Sequence, residues 1–195
     1  PVLLAAPRHE AVYDFGGFDD KIYTLRYDAP GAPALATQVE ALLRDAGIEV
    51  HRVEQGGLDH GIWTPLRYMW PAADVPVLPL GLVPNWSPRQ LFDFGAALAP
   101  LAAQGVLVMG TGSITHNLRR VFSGGLHANA DAPEIAESAA FRQWMRDRSR
   151  ARDWDALFDY RRSAPHALDM HPTDEHLLPW YVAAGAGGPE HAALR

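Results

Sequence analysis

Residues 105–118 read GVLVMGTGSITHNL. Val106, Leu107, Val108 and Met109 form a short apolar run without alternation. Such a run predicts a strand buried on both faces, as in a parallel sheet covered by helices. Gly110 and Gly112 then let the chain turn where the strand ends. Thr111, Ser113, Thr115, His116 and Asn117 crowd the turn with polar side chains. Open α/β sheets bind ligands at the carboxyl ends of their strands, so His116 is a candidate functional residue. Taken alone, it reads equally well as a helix cap or a partner for a carbonyl.

Outward from this stretch the sequence alternates helix and strand. Residues 34–46 place Leu35, Val39, Leu42 and Leu43 on one helical face, with Gly47 as a stop. Ile48 to Val53 follows as a strand, and helix, glycine turn, strand is an α/β order. Val75 to Leu80 is a second apolar strand, but Pro76 and Pro79 require an edge position or irregular pairing. Ser87 caps and Pro88 begins a helix that runs to about Gln104, with an interruption at Pro100. Shorter helices are expected over residues 21–27, 134–148 and 154–162, and residues 123–133 read as a loop. The expected fold is a single α/β domain over residues 1–195, its central sheet mostly parallel or mixed and flanked by helices.

Composition narrows the function. Of 195 residues, 48% are hydrophobic, enough for a sizeable core. The net charge of −6 and the lack of a basic run interleaved with aromatics argue against a nucleic-acid surface. No apolar run reaches the roughly 18 residues of a membrane span. Cysteine is absent, which fits a reducing compartment, and a cytoplasmic location is expected. With nine histidines and no thiol, any transition-metal site must use imidazole and carboxylate. The sequence starts at Pro1 without Met or a signal-peptide pattern, so upstream residues are expected.

Three segments carry candidate chemistry. In QGGLDHGIWTPL, residues 55–66, His60 sits on a glycine-rich turn, and Asp59 is placed to pair with its imidazolium or orient its neutral ring. In APHALDMHPTDEHLLPW, residues 164–180, His166, His171 and His176 fall close together, but not at the i,i+4 spacing of a helical zinc motif. Thr173 is expected to cap a helix carrying Glu175 and His176 in its first turn. Tyr13 to Phe18, YDFGGF, reads either as a lid or pocket wall or as a surface turn anchored by two rings. Arg67, Arg119 and Arg120 are candidates to meet a substrate carboxylate, although solvated arginines are commoner.

LDHGIWTPLRYMWPAADVPV (58–77), GSITHNLR (112–119) and HPTDEHLLP (171–179) together resemble the class III extradiol ring-cleavage dioxygenases, in their 4,5-DOPA dioxygenase-like subgroup. YDFGGF and YDAPGAPALA (27–36) resemble it too. The resemblance runs from about Val12 to about Ala184. It implies a non-haem Fe(II) enzyme that inserts both atoms of O₂ into a catechol-type ring beside its hydroxyls, with zinc an occupant of the same position. It implies His176 as a metal ligand, His116 as ligand or acid/base at the metal, and His60 as the pocket histidine facing substrate. His171 would stand behind the ligands. Two further metal histidines of the family, in an HGSP-like loop and a SAHW-like turn, have no counterpart here, nor does the family's final strand region. The 195 residues are therefore expected to be incomplete at both ends, to hold metal weakly by themselves and to be inactive toward catechols. A zinc-dependent hydrolase on a similar scaffold, and a degenerate small-molecule-binding protein without catalysis, are the alternatives.

Overall fold

The structure is a computed structural model, and it describes residues 1–83, 85–123 and 131–188. The chain divides into two compact units, residues 1–84 and residues 85–195.

In the first unit, β1 (Val2–Leu4) is the middle strand of three. It pairs parallel with β4 (His51–Val53) and antiparallel with β5 (Leu80–Gly81), so the sheet is mixed. Leu3 of β1 is fully buried, as a middle strand requires. Of the proline-containing segment Val75–Leu80, only Leu80 joins a strand, extended by Gly81, and that strand lies at the sheet edge. Pro76 and Pro79 have no N–H to donate to a ladder, so pairing upstream shrinks to a single bridge between Val77 and Gly31. A two-stranded ribbon joins β2 (Arg8–His9) and β3 (Ala29–Pro30). The helix expected over residues 21–27 is one 3-10 turn, Asp20–Thr24, capped by Asp19.

Helix α1 (Pro33–Asp45) forms as its periodicity predicts and buries Ala36, Val39 and Leu43. Leu35 and Leu42 flank that face and are only half-buried. Gly47 adopts a positive φ of 73° just past the helix. Helix α2 (His60–Met69) replaces the loop expected over residues 55–66. Pro65 lies inside this helix, past its first turn, and removes the i→i−4 bond that an N–H there would give the Gly61 carbonyl. Its buried face, Trp63 and Leu66, packs with Tyr27, Ala29 and Leu58.

Among its described residues the second unit is helical. Its pairing of α3 (Pro88–Leu98) with α9 (Pro179–Gly187) depends on two glycines. A Cβ on Gly95 would strike the Val182 carbonyl oxygen, and one on Gly185 the Phe92 carbonyl oxygen. The two backbones approach closely because neither position carries a side chain. Ser87 and Gln90 close a reciprocal capping box at the start of α3. Past Leu98 the helix tightens to a 3-10 segment, Ala99–Gln104, at the predicted Pro100 interruption. Between α3 and α9 come α4 (Leu118–Phe122), α5 (Ala136–Ala151), α6 (Trp154–Phe158), α7 (Tyr160–Ser163) and α8 (Ala167–Met170). Phe141, Met145, Leu157, Tyr160 and Tyr181 fill their core. Residues 124–130 of the loop expected over 123–133 lie outside the described residues.

The opening stretch departs from its reading. Val106–Met109 forms no strand, and Leu107 and Met109 are 65% and 39% exposed. A run buried on both faces needs ladder partners, and none is present among the described residues of this unit. The α/β class and the mixed sheet stand, but the sheet is built from the first unit's strands.

Candidate functional site

Residues 110–117 run alongside residues 169–179, and main-chain bonds tie the two segments. Ser113 N–H donates to the His176 carbonyl at 2.7 Å, and His116 N–H to the Met170 carbonyl at 2.9 Å. The Asn117 side-chain amide donates to the Asp169 carbonyl at 2.6 Å, and its oxygen caps Arg120 N–H at the start of α4. Gly110 and Gly112 make this approach possible. A Cβ on Gly110 would strike the Pro179 carbonyl oxygen, and one on Gly112 that of His176. Neither has a positive φ, so their role is clearance rather than a sharp turn.

These ties bring His116 and His176 together, their rings stacked 3.4 Å apart and 13° from parallel. Glu175 completes a group of three whose ligand atoms all lie within 4.8 Å of one another. His176 Nδ1 is buried without a hydrogen bond, 3.3 Å from Oε1 of Glu175. Burial lowers the pKa of His116, and the neighbouring His176 lowers it further, against the opposing pull of Glu175. The ring is therefore held neutral, the form that binds metal or accepts a proton. Burial raises the Glu175 pKa, but its own backbone N–H, the Thr173 hydroxyl and His176 outweigh that and hold the carboxyl below its ordinary range.

Two imidazoles and a carboxylate suit non-haem Fe(II), and they suit zinc as well. The unpartnered His176 nitrogen beside a carboxylate fits a bound cation. Stacked imidazoles aim their in-plane lone pairs side by side, so joint ligation of one ion by His116 and His176 requires one ring to turn.

His171 is fully buried behind this pair. Its Nε2–H donates to the Ile114 carbonyl at 2.7 Å, which leaves Nδ1 unprotonated and unpartnered in the neutral ring. Burial lowers its pKa, only partly offset by that hydrogen bond. Arg161 pairs with Asp174 and also donates to the His171 carbonyl at 3.3 Å, fixing the turn between His171 and Glu175. The helix expected after Thr173 does not form. Residues 175–178 are turn and α9 starts only at Pro179, while the Thr173 hydroxyl donates to Glu175 Oε1 at 2.8 Å. His166 lies apart from the three-residue group, at positive φ before α8. Arg120 is occupied by Asp169 at 2.6 Å and Glu137 at 3.4 Å, a structural ion-pair network rather than a free anion site.

In the first unit, His60 is the first residue of α2 rather than part of a turn. Asp59 does not meet its ring: the carboxylate caps the helix by accepting from Ile62 N–H at 3.0 Å. The ring partner is Asp14, whose Oδ1 lies 2.8 Å from His60 Nδ1 and accepts the His60 backbone N–H at 3.2 Å. The rings of YDFGGF pack against α2. Phe15 meets His60 edge-on at 5.6 Å, Tyr13 and Phe15 lie against Trp63, and Trp63 Nε1 donates to the Val12 carbonyl at 3.0 Å. Sequence reasoning missed both carboxylates. Glu175 adjoins a histidine already singled out, a usable signal; Asp14 is 46 residues from His60, and nothing local announces the pairing.

The chain is 37% identical over 195 residues to a 4,5-DOPA dioxygenase extradiol of Beta vulgaris, covering 99% of this chain and 70% of that protein. It is 34% identical over 193 residues to the enzyme of the same name from Mirabilis jalapa, covering 96% and 68%. In fold it is similar to the crystal structure of the uncharacterized protein JW3007 from Escherichia coli K12, with a TM-score of 0.74 and 28% identity over 95% of this chain and 69% of that one. Residues 2–194 match the family described as the catalytic LigB subunit of aromatic ring-opening dioxygenase, and the chain belongs to that family of enzymes.

Proposed function

We propose that this protein cleaves a catechol-type aromatic ring in the extradiol position, with incorporation of O₂, at a non-haem Fe(II) centre. The observation that carries this reading is the His116, Glu175 and His176 group, the donor set such a centre uses. Zinc is a competing occupant of the same donors. His176 and Glu175 would hold the metal, with His116 a third donor if its ring turned out of the stack. Otherwise His116 remains beside the metal as the acid/base. The metal, when bound, supplies a Lewis acid with open positions for a bidentate catecholate and O₂. The neutral His116 ring accepts a catechol proton at its free nitrogen, a contribution of roughly 10²–10⁴-fold in comparable enzymes. His60 is a catalytic histidine contributed by the first unit, and His171 backs the ligand segment through the Ile114 carbonyl.

On this reading residues 1–195 belong to one catalytic domain, and the absence of cysteine supports a cytoplasmic location. No helix among the described residues is long and apolar enough to cross a membrane. The partners are a catecholic small molecule and O₂. The test is catechol-dependent oxygen uptake by protein reconstituted anaerobically with Fe(II), beside parallel samples loaded with zinc. Oxygen uptake with Fe(II) alone is the expected result. Hydrolytic turnover with zinc and no oxygen consumption would replace this reading with that of a metal-dependent hydrolase.

A further inference from the structure

We infer that Asp14 is a positioning residue for His60, holding the neutral ring as the Nδ1–H tautomer so that Nε2 alone is left as a bare acceptor. The inference rests on the proposed catalytic role of His60, but its geometry stands apart from that role. One oxygen of Asp14 binds the same residue twice, at the ring nitrogen at 2.8 Å and at the backbone N–H at 3.2 Å. Two anchors on one residue fix the ring's direction relative to the start of α2. Phe15, the next residue in sequence, sets its edge against the imidazole at 89°, which limits rotation about the remaining bond.

The charge state of the carboxylate sets the tautomer. Partial burial raises the Asp14 pKa, but the hydrogen bonds from the His60 ring and backbone outweigh it, and the carboxyl lies below its ordinary range. An ionised carboxylate has no proton to donate, so the shared hydrogen must sit on Nδ1. Which ring nitrogen is free to work is decided by the bond the other one makes. Asp59, the carboxylate adjacent in sequence, is turned to Ile62 N–H instead of to the ring. The His60 and Asp14 side chains are 47% and 38% exposed, so the pair adds little to stability, and orientation is the effect left to it. A base aimed in one direction, in one tautomer, is what proton transfer to or from a bound hydroxyl needs.

The experiment is ¹⁵N NMR of histidine-labelled full-length protein, with the His60 ring assigned from the His60→Gln spectrum. The expected wild-type signature is a pyrrole-type Nδ1 and a pyridine-type Nε2 in the neutral ring. Asp14→Ala should transfer the proton to Nε2, and Asp14→Glu should restore Nδ1–H at least in part. A wild-type ring protonated at Nε2, or an Asp14→Ala ring unchanged from wild type, would overturn the inference. Oxygen uptake with catechol supplies the second readout. Asp14→Ala should lower kcat about tenfold or more with KM changed less than about twofold, and Asp14→Glu should recover part of it. If His60→Ala leaves turnover intact, the reading of His60 fails, while the spectrum still reports the Asp14 contact by itself. If His60→Ala slows turnover and a tautomer-switched Asp14→Ala does not, Asp14 is no positioning residue.

Discussion

Glu175→Gln keeps the size of the side chain and removes its charge. Loss of the carboxylate beside the unpartnered His176 nitrogen should weaken metal binding roughly 10–100-fold, read by competition with a chelator of known affinity. His176→Ala should lose the metal outright, whereas His60→Ala should retain it and lose turnover. Metal analysis beside oxygen-electrode rates separates the two, and equal metal loss in both variants would contradict the assignment. His9 gives a prediction about pH. It is fully buried with Nε2 donating to the Val77 carbonyl at 3.1 Å, and burial lowers its pKa more than that bond raises it. Its unfolded value is about 6.5. The unfolded chain therefore binds more protons between that pH and the lower folded pKa. The stabilisation is complete above about pH 6.5 and is lost as pH falls toward the folded pKa, at no more than roughly 1.4 kcal/mol per pH unit. Denaturant midpoints between pH 7.5 and 5 should show this decline, and His9→Gln, which keeps a donor for Val77, should flatten it.

At the scale of elements, the pairing of α3 with α9 is the feature most exposed to a single substitution. Gly95→Ala or Gly185→Ala forces a methyl group against a backbone carbonyl of the partner helix. Each should cost about 1–3 kcal/mol or more, because backbone cannot move aside as a flexible side chain can. Gly187, near the end of α9, has open space where its Cβ would stand. Gly187→Ala should be neutral or stabilising by up to about 1 kcal/mol. Thermal and chemical denaturation of the three variants checks the contrast. The same reasoning explains the segment 110–117, where glycines permit close packing against residues 176–179. Apolar content alone reads Val106–Met109 as a strand. A ladder is a property of two segments, however, and a single segment's composition does not reveal whether a partner stands beside it.

For the whole molecule, the chain spans 58% to 70% of the length of curated relatives it matches. With His116, Glu175 and His176 as its grouped donors, the 195-residue chain expressed by itself should bind Fe(II) or zinc, but weakly enough to lose it on dialysis against chelator. A chain lengthened upstream by HGSP- and SAHW-like segments should retain the metal through the same dialysis. Stoichiometric retention by the 195 residues would show that their own donors suffice. The sequence by itself determined the α/β class, helix α1, the cap and first turns of α3, the edge placement forced by Pro76 and Pro79, and the histidines worth testing. These follow from periodicity, capping chemistry and backbone constraints that act within a few residues. Tertiary structure alone decided that Asp14 stands at the His60 ring, that His116 stacks on His176, and that Glu175 joins them. Those relations link residues up to 60 positions apart, and they arise only when separate segments fold against one another and their hydrogen bonds choose partners.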